Sequence, residues 1–233
     1  MSEFANAGVN LAAVKKMSIG VGDRDVAIPD GSGMILVDDI RVVKPPAPVA
    51  AFVEDFESYK AGSDLHGQGG WKGWDNTATA GSPASSAYAC SGANSVEIIG
   101  SADLVHEFDV AGGTVEMTAM QYIPSGSTGE TYFILLNTYK DGGDKDWSVQ
   151  WDFNMGTGIL TSSDAPGTAE IVYDQWVELK FVIDLDGNTV DGYYNGTLAV
   201  SHVWDDNAHG TLQCVDLWGN NASSVYYDDI EVK

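Results

Sequence analysis

S-V-Y-Y-D-D-I-E-V-K, Ser224–Lys233, closes the chain, and M-I-L-V-D-D-I-R-V-V-K, Met34–Lys44, echoes it near the other end. Each copy follows an apolar run, T-L-Q-C-V-D-L-W-G in one case and K-K-M-S-I-G-V-G in the other. Two closing strands in one chain imply two module endings but only one full module body. Residues 1–44 therefore read as the terminal strands of an upstream β-module. They form a hairpin of Met17–Val21 and Met34–Val43 around the loop G-D-R-D-V-A-I-P-D-G-S-G. Two strands alone bury no core. The tail is expected to pack onto the domain that follows or to add its strands to a neighbouring molecule. Residues 45–51, beginning Pro45-Pro46-Ala47-Pro48, make a short stiff linker, and residues 52–233 form the complete domain.

Working back from the closing strand, the body reads as all-β. Short runs rich in β-branched and aromatic residues alternate with Gly, Asp and Asn turn clusters, and no stretch carries a helical period. In Thr114–Ile123, alternation places Val115, Met117, Ala119 and Ile123 on one side. In Gln175–Asp184, Val177, Leu179, Phe181 and Ile183 share one side, opposite Trp176, Glu178 and Lys180. In Trp147–Phe153, Trp147, Val149, Trp151 and Phe153 are expected in the core, with Ser148, Gln150 and Asp152 on the polar face. One apolar and one polar face per strand is what two packed sheets require. The predicted fold class is an all-β, two-sheet antiparallel β-sandwich, a jelly roll.

Composition narrows the function classes. The chain has 233 residues, 44% of them hydrophobic, enough to bury a core. Its formal charge is −23, from 34 acidic and 11 basic residues. Such a surface repels phosphate backbones and anionic membranes, so nucleic acid is a poor partner, whereas cations and neutral ligands suit it. No apolar run is long enough for membrane insertion. The first residues lack a charged start and an apolar h-region. A secreted, extracellular setting would thus draw its export signal from a longer parent protein. Cys90 and Cys214 permit one disulfide or remain two buried thiols, and their spacing fits no zinc pattern.

D-L-D-G-N-T-V-D-G-Y-Y-N-G-T-L-A-V, Asp184–Val200, resembles the paired hairpins of concanavalin-A-like and laminin-G-like jelly rolls. F-V-E-D-F-E-S-Y, Phe52–Tyr59, and Y-Y-D-D-I-E-V, Tyr226–Val232, extend the resemblance to carbohydrate-binding-module and lectin-type sandwiches over Phe52–Lys233. The first 44 residues resemble the closing part of a similar module in multi-modular secreted bacterial proteins. The resemblance implies fold more strongly than function.

The same resemblance implies a structural Ca²⁺ tying the first strand to the last, and acids stand at both places here. Strict alternation puts Tyr226, Asp228, Ile230 and Val232 on one face. With Ile230 and Val232 in the core, Asp228 points inward and needs a cation or strong donors. Asp55 and Glu57, beside Phe56, would complete an oxygen ligand set. The alternative is that Asp228 accepts backbone N–H bonds or sits at the sheet rim. Asp184–Asn188 is a hairpin turn, since Asn195 stands where an EF-hand has its bidentate Glu. Lys140–Asp146 is first a solvated loop.

Sugar binding needs flat aromatic rings beside polar groups that read hydroxyls. Trp71 and Trp74 lie in the glycine-rich stretch Ala61–Asn94, where they either cap the sandwich or form a ligand platform. Tyr139, Gln150 and Asp152 complete the candidate carbohydrate site, with Trp176, Trp204 and Trp218 as alternatives. Glu107 and Asp109 share a strand face but lack the third acid of a jelly-roll glycosidase. His66, His106, His202 and His209 do not cluster in sequence. The expected function is a non-catalytic polysaccharide- or glycan-binding module with structural calcium. A structural or adhesive module self-associating through residues 1–44 is the second reading. A glycoside hydrolase or polysaccharide lyase on the same fold is the third.

Overall fold

The computed structural model describes residues 52–207 and 210–233, which fall in the second of two units of the chain, Lys44–Lys233. The 1–44 tail, its hairpin and possible self-association, the 45–51 linker and His209 lie outside the described residues.

Strands β1 (Phe52–Glu54), β2 (Trp71–Gly73), β3 (Ala84–Ser85), β4 (Ser95–Gly100) and β5 (Asp103–Ala111) come first. They are followed by β6 (Thr114–Tyr122), β7 (Glu130–Tyr139), β8 (Lys145–Asn154), β9 (Ile159–Ser162) and β10 (Thr168–Glu170). The rest are β11 (Trp176–Asp184), β12 (Thr189–Tyr194), β13 (Thr197–Val203), β14 (Thr211–Asn220) and β15 (Ala222–Val232). One sheet runs β13-β12-β11-β6-β15-β4-β3, with β1 on the end of β15; the other runs β10-β9-β8-β7-β14-β5-β2. Their inner faces close a single sandwich. Phe133 of β7 stacks on Phe181 of β11 at 5.5 Å, and Trp151 of β8 meets the same Phe181 edge-on at 4.6 Å. Gly192 makes room for that tryptophan: a Cβ there would lie 2.5 Å from Trp151 Cζ2.

Alternation holds along β6 and β11, whose Val115, Met117, Ala119, Val177, Leu179, Phe181 and Ile183 are buried in the core. It fails at two bulges. On β15, pairing with β6 steps from Asp228↔Met120 to Glu231↔Thr118, one extra residue on β15, with Asp229 at φ 46°. Such a residue breaks the two-residue repeat and turns the chain over. Val225, Tyr227, Ile230 and Val232 therefore face the core, and Asp228 is thrown to the outer face. On β8, pairing with β7 steps from Leu135↔Val149 to Leu136↔Trp147, with Ser148 as the extra residue. Trp147, expected in the core, is turned outward and is 42% exposed.

Glu54 anchors the beginning of the domain. Its buried carboxylate accepts bonds from the Phe56 N–H (2.9 Å), the Tyr59 hydroxyl (2.7 Å) and Trp71 Nε1 (3.1 Å). Trp71 is consequently a core residue, 1% exposed and packed on Phe56, and not a ligand platform.

Candidate functional site

Two of the three acids expected to hold calcium, Asp228 and Glu57, clamp a loop. Asp228 is fully buried on the outer side of its sheet. Its Oδ2 accepts the N–H groups of Cys90 (2.7 Å) and Ser91 (3.2 Å), and its Oδ1 that of Asp229 (2.8 Å). Glu57 Oε1 takes the N–H groups of Ala93 (2.7 Å) and Asn94 (2.6 Å), while Asp55 Oδ1 accepts only the nearby Glu57 N–H at 3.1 Å. Burial pushes the Asp228 carboxyl up to about 6, the three N–H donors opposing it. Among the described residues no three His, Cys, Asp or Glu side chains are placed to hold a metal ion. The donors that Asp228 needed are backbone amides, and this oxygen set does not fit a calcium cage. Cys90 lies in the clamped loop, Cys214 is buried on the other sheet, and both are free thiols.

Trp74, Tyr139, Gln150, Asp152 and Trp218 gather on the outer face of the second sheet, joined by Tyr132 and Trp147. An apolar patch of Val105, Ile134, Leu136, Tyr139 and Cys214 covers the middle of that face, and Trp74, Tyr132 and Trp218 pack on it. It runs along β7 from Tyr132 to Tyr139, about 20 Å at the ordinary rise of a strand. At one end Trp74 stacks on Trp147 (6.3 Å, 19°) and meets Tyr139 edge-on at 5.1 Å. At the other end Tyr132 and Trp218 stack at 4.5 Å.

The ends differ in their polar partners. Near Trp74 both lysines, Lys72 and Lys145, are paired. Lys145 Nζ lies 2.6 Å from Asp75 and 5.1 Å from the Trp74 ring centre. Lys72 pairs with Glu107 and, at 2.6 Å, with Asp141. The Lys72 ammonium is lowered by burial but raised further by those two carboxylates, for a net rise. Tyr139 is 5% exposed, its hydroxyl held between the Asp75 N–H (3.0 Å) and Asp141 (3.1 Å). It supports the platform from beneath.

Around Tyr132 and Trp218 three aspartates each have one carboxyl oxygen without a donor. Register lines up Asp152 of β8, Tyr132 of β7, Trp218 of β14 and Asp103 of β5 in one row across the sheet. Asp152 Oδ1, Asp103 Oδ1 and Asp216 Oδ1 are buried atoms with no hydrogen-bond partner. Burial and then the charge of Glu130 push Asp152 up to about 6. Asp216 is only 3% exposed; burial and then the adjacent Asp103 carboxyl push it well above the usual range. Two touching carboxyls without a donor must share a proton. Glu130 is satisfied by Asn154 Nδ2 (2.7 Å), Asn220 Nδ2 (2.9 Å) and the Tyr132 hydroxyl (3.1 Å). Glu130, Asn154 and Asn220 line, with Gly129, Gly156 and Asn221, an open depression of about 360 Å³ at that end.

Gln150 stands at the patch edge, its backbone N–H (2.6 Å) and side-chain amide (3.4 Å) both bonded to Asp164. Glu107 and Asp109 are both exposed on β5. Trp204 is a core residue whose indole bonds the Thr211 carbonyl at 2.9 Å. Trp176 belongs to a separate aromatic group on the other sheet, with Tyr122 (5.5 Å) and, through it, Tyr88 (4.3 Å).

No family model and no curated protein sequence matches the chain. Solved structures do. A sialidase matches with a TM-score of 0.54 at 8% identity, over 79% of this chain and 18% of its own. The Emp47p carbohydrate recognition domain matches at 0.48 and 9%, over 80% and 96%. An endo-β-1,4-glucuronan lyase from the fungus Trichoderma reesei matches at 0.46 and 11%, over 78% and 94%. At such identities the likeness is one of fold. The chain is a two-sheet antiparallel jelly-roll β-sandwich, the fold it shares with the sialidase match.

Proposed function

We propose that the outer face of the second sheet binds a carbohydrate chain, in a secreted setting and without catalysis. The observation that carries this reading is the row Asp152–Tyr132–Trp218–Asp103, in which partly buried rings stand between carboxyl oxygens that lack donors. A pyranose has a C–H face that packs on a ring and hydroxyl edges that donate to such oxygens. An unmet buried acceptor costs about 1–3 kcal/mol, which a ligand hydroxyl recovers. Trp74 and Trp147 extend the platform along the sheet. The expected calcium has no place in this proposal, since Asp55, Glu57 and Asp228 are occupied by backbone N–H groups.

A glycan array on the full chain, followed by calorimetry on the best ligand, tests the face. Trp218→Ala is expected to weaken binding at least tenfold, about 1.4 kcal/mol, and Trp147→Ala to weaken it less. Trp176→Ala, on the opposite sheet, leaves it unchanged. Full binding by the Trp218→Ala variant, with Trp176→Ala abolishing it, would move the site to the other sheet.

A further inference from the structure

We propose that the sugar bound on this face carries free amines, as in a glucosamine polymer, in preference to neutral or uronate sugars. The inference rests on the carbohydrate-binding reading above and deepens it. Its ground is the charge of the platform at the Tyr132–Trp218 end. Asp152, Asp103 and Asp216 each keep one carboxyl oxygen without a donor, and Asp216 is nine-tenths buried or more, at the centre of the apolar patch. In register Asp216 lies between Ile134 and Val105, and its carboxyl touches that of Asp103, whose own side chain is partly open to solvent.

Among the described residues the nearest lysines on this face, Lys72 and Lys145, are already engaged by Glu107, Asp141 and Asp75. A uronate would bring a carboxylate into this row with nothing to pair it, and like charges in a half-buried site repel strongly. A neutral hydroxyl satisfies one acceptor and leaves the charge unanswered. An ammonium at C2 supplies three donors and a positive charge together. It also replaces the proton that Asp103 and Asp216 must otherwise share, so both can ionise around it. The long negative face, consistent with a chain of formal charge −23, draws such a polymer in from solution.

Calorimetry with four β-1,4-linked hexamers on the full chain tests the inference: glucosamine, N-acetylglucosamine, glucose and glucuronate. The glucosamine hexamer is expected to bind at least about tenfold more tightly than the glucose hexamer, and the glucuronate hexamer most weakly. Asp152→Asn and Asp103→Asn, each keeping the shape of the side chain, should shrink that preference, while Trp218→Ala lowers affinity for both hexamers. Equal binding of glucosamine and glucose hexamers, each sensitive to Trp218→Ala, overturns the amine preference and leaves the carbohydrate face intact. Glucosamine binding that survives Trp218→Ala, Asp103→Asn and Asp152→Asn unchanged is attraction to the overall charge, and overturns the inference. Binding of none of the four, with no array ligand sensitive to Trp218→Ala, overturns both readings.

Discussion

Replacing Glu54 by Ala removes one acceptor group and strands three donors. The Phe56 amide, the Tyr59 hydroxyl and the Trp71 indole all point into that carboxylate, at 2.9, 2.7 and 3.1 Å. Glu54 is 8% exposed and Trp71 1%, so water reaches the vacated position poorly. Each charge-assisted bond contributes about 1.5–3 kcal/mol, but the energies do not add fully, because the cavity can relax and a water can enter beside Tyr59. A net loss of about 3–5 kcal/mol is expected, the range for removing one partner of a buried charged network. Glu54→Gln keeps one oxygen for two of the donors and turns an amide against the third, for about 1–2 kcal/mol. Urea unfolding followed by tryptophan fluorescence, extrapolated linearly, measures the series. The Ala variant should also shift emission to the red as Trp71 gains water. A loss below about 1 kcal/mol for Ala, or equal losses for Ala and Gln, would falsify the account of Glu54 as the acceptor that holds Trp71 in the core.

Four further outcomes are expected. Gly192→Ala places a Cβ 2.5 Å from Trp151 Cζ2 in the core, and overpacking of that kind costs about 1–3 kcal/mol, read by the same unfolding assay. Asp152, pushed up to about 6 by burial and the Glu130 charge, lies above its unfolded value of about 3.9. The fold thus favours its protonated form, and the stability lent at low pH is lost as pH rises through about 6. Relative to the parent, Asp152→Asn should gain roughly 1 kcal/mol between about pH 4 and pH 7 after screening; a difference that stays flat with pH counts against the burial. Asp228→Ala releases the amides of Cys90 and Ser91, so alkylation of the Cys90 thiol, which burial and then the Asp229 charge push up to about 11, should accelerate several-fold. EDTA should leave the parent Tm within about 1 °C, because amides rather than a cation meet the Asp228 demand; a larger fall would restore a metal.

The sandwich was legible wherever the two-residue repeat ran unbroken. Along β6 and β11 each apolar residue named from alternation lies in the core, because these strands pair in continuous register. The errors come from single inserted residues. The reading of Asp228 as inward-facing assumed an even count to Ile230, and the bulge at Asp229 makes it odd. The acidic pair Asp228-Asp229 inside an apolar strand is the visible sign, since Asp tolerates a left-handed backbone better than most residues. Trp147 was misplaced for the same reason, and nothing in K-D-W-S-V-Q-W marks Ser148 as the extra residue. Trp71 and Trp74 share one glycine-rich stretch but part ways, because the acceptor for Trp71 lies 17 positions upstream at Glu54. Tyr132 and Trp218 meet only through pairing of β7 with β14, and a window on either strand alone cannot show it.

Pairing of β1 with β15 joins Phe52 to Val232, Val53 to Glu231 and Glu54 to Ile230. The chain therefore enters and leaves the sandwich at one corner. Tension applied through both ends would load these pairs one after another, as a zipper opens, and not all together in shear. Three steps of peeling reach Glu54 and withdraw the acceptor that holds Phe56, Tyr59 and Trp71. The glycine-rich stretch would come loose first under load, taking β2 and Trp74 from the edge of the second sheet, while β7 and β14 keep Tyr132 and Trp218 in place.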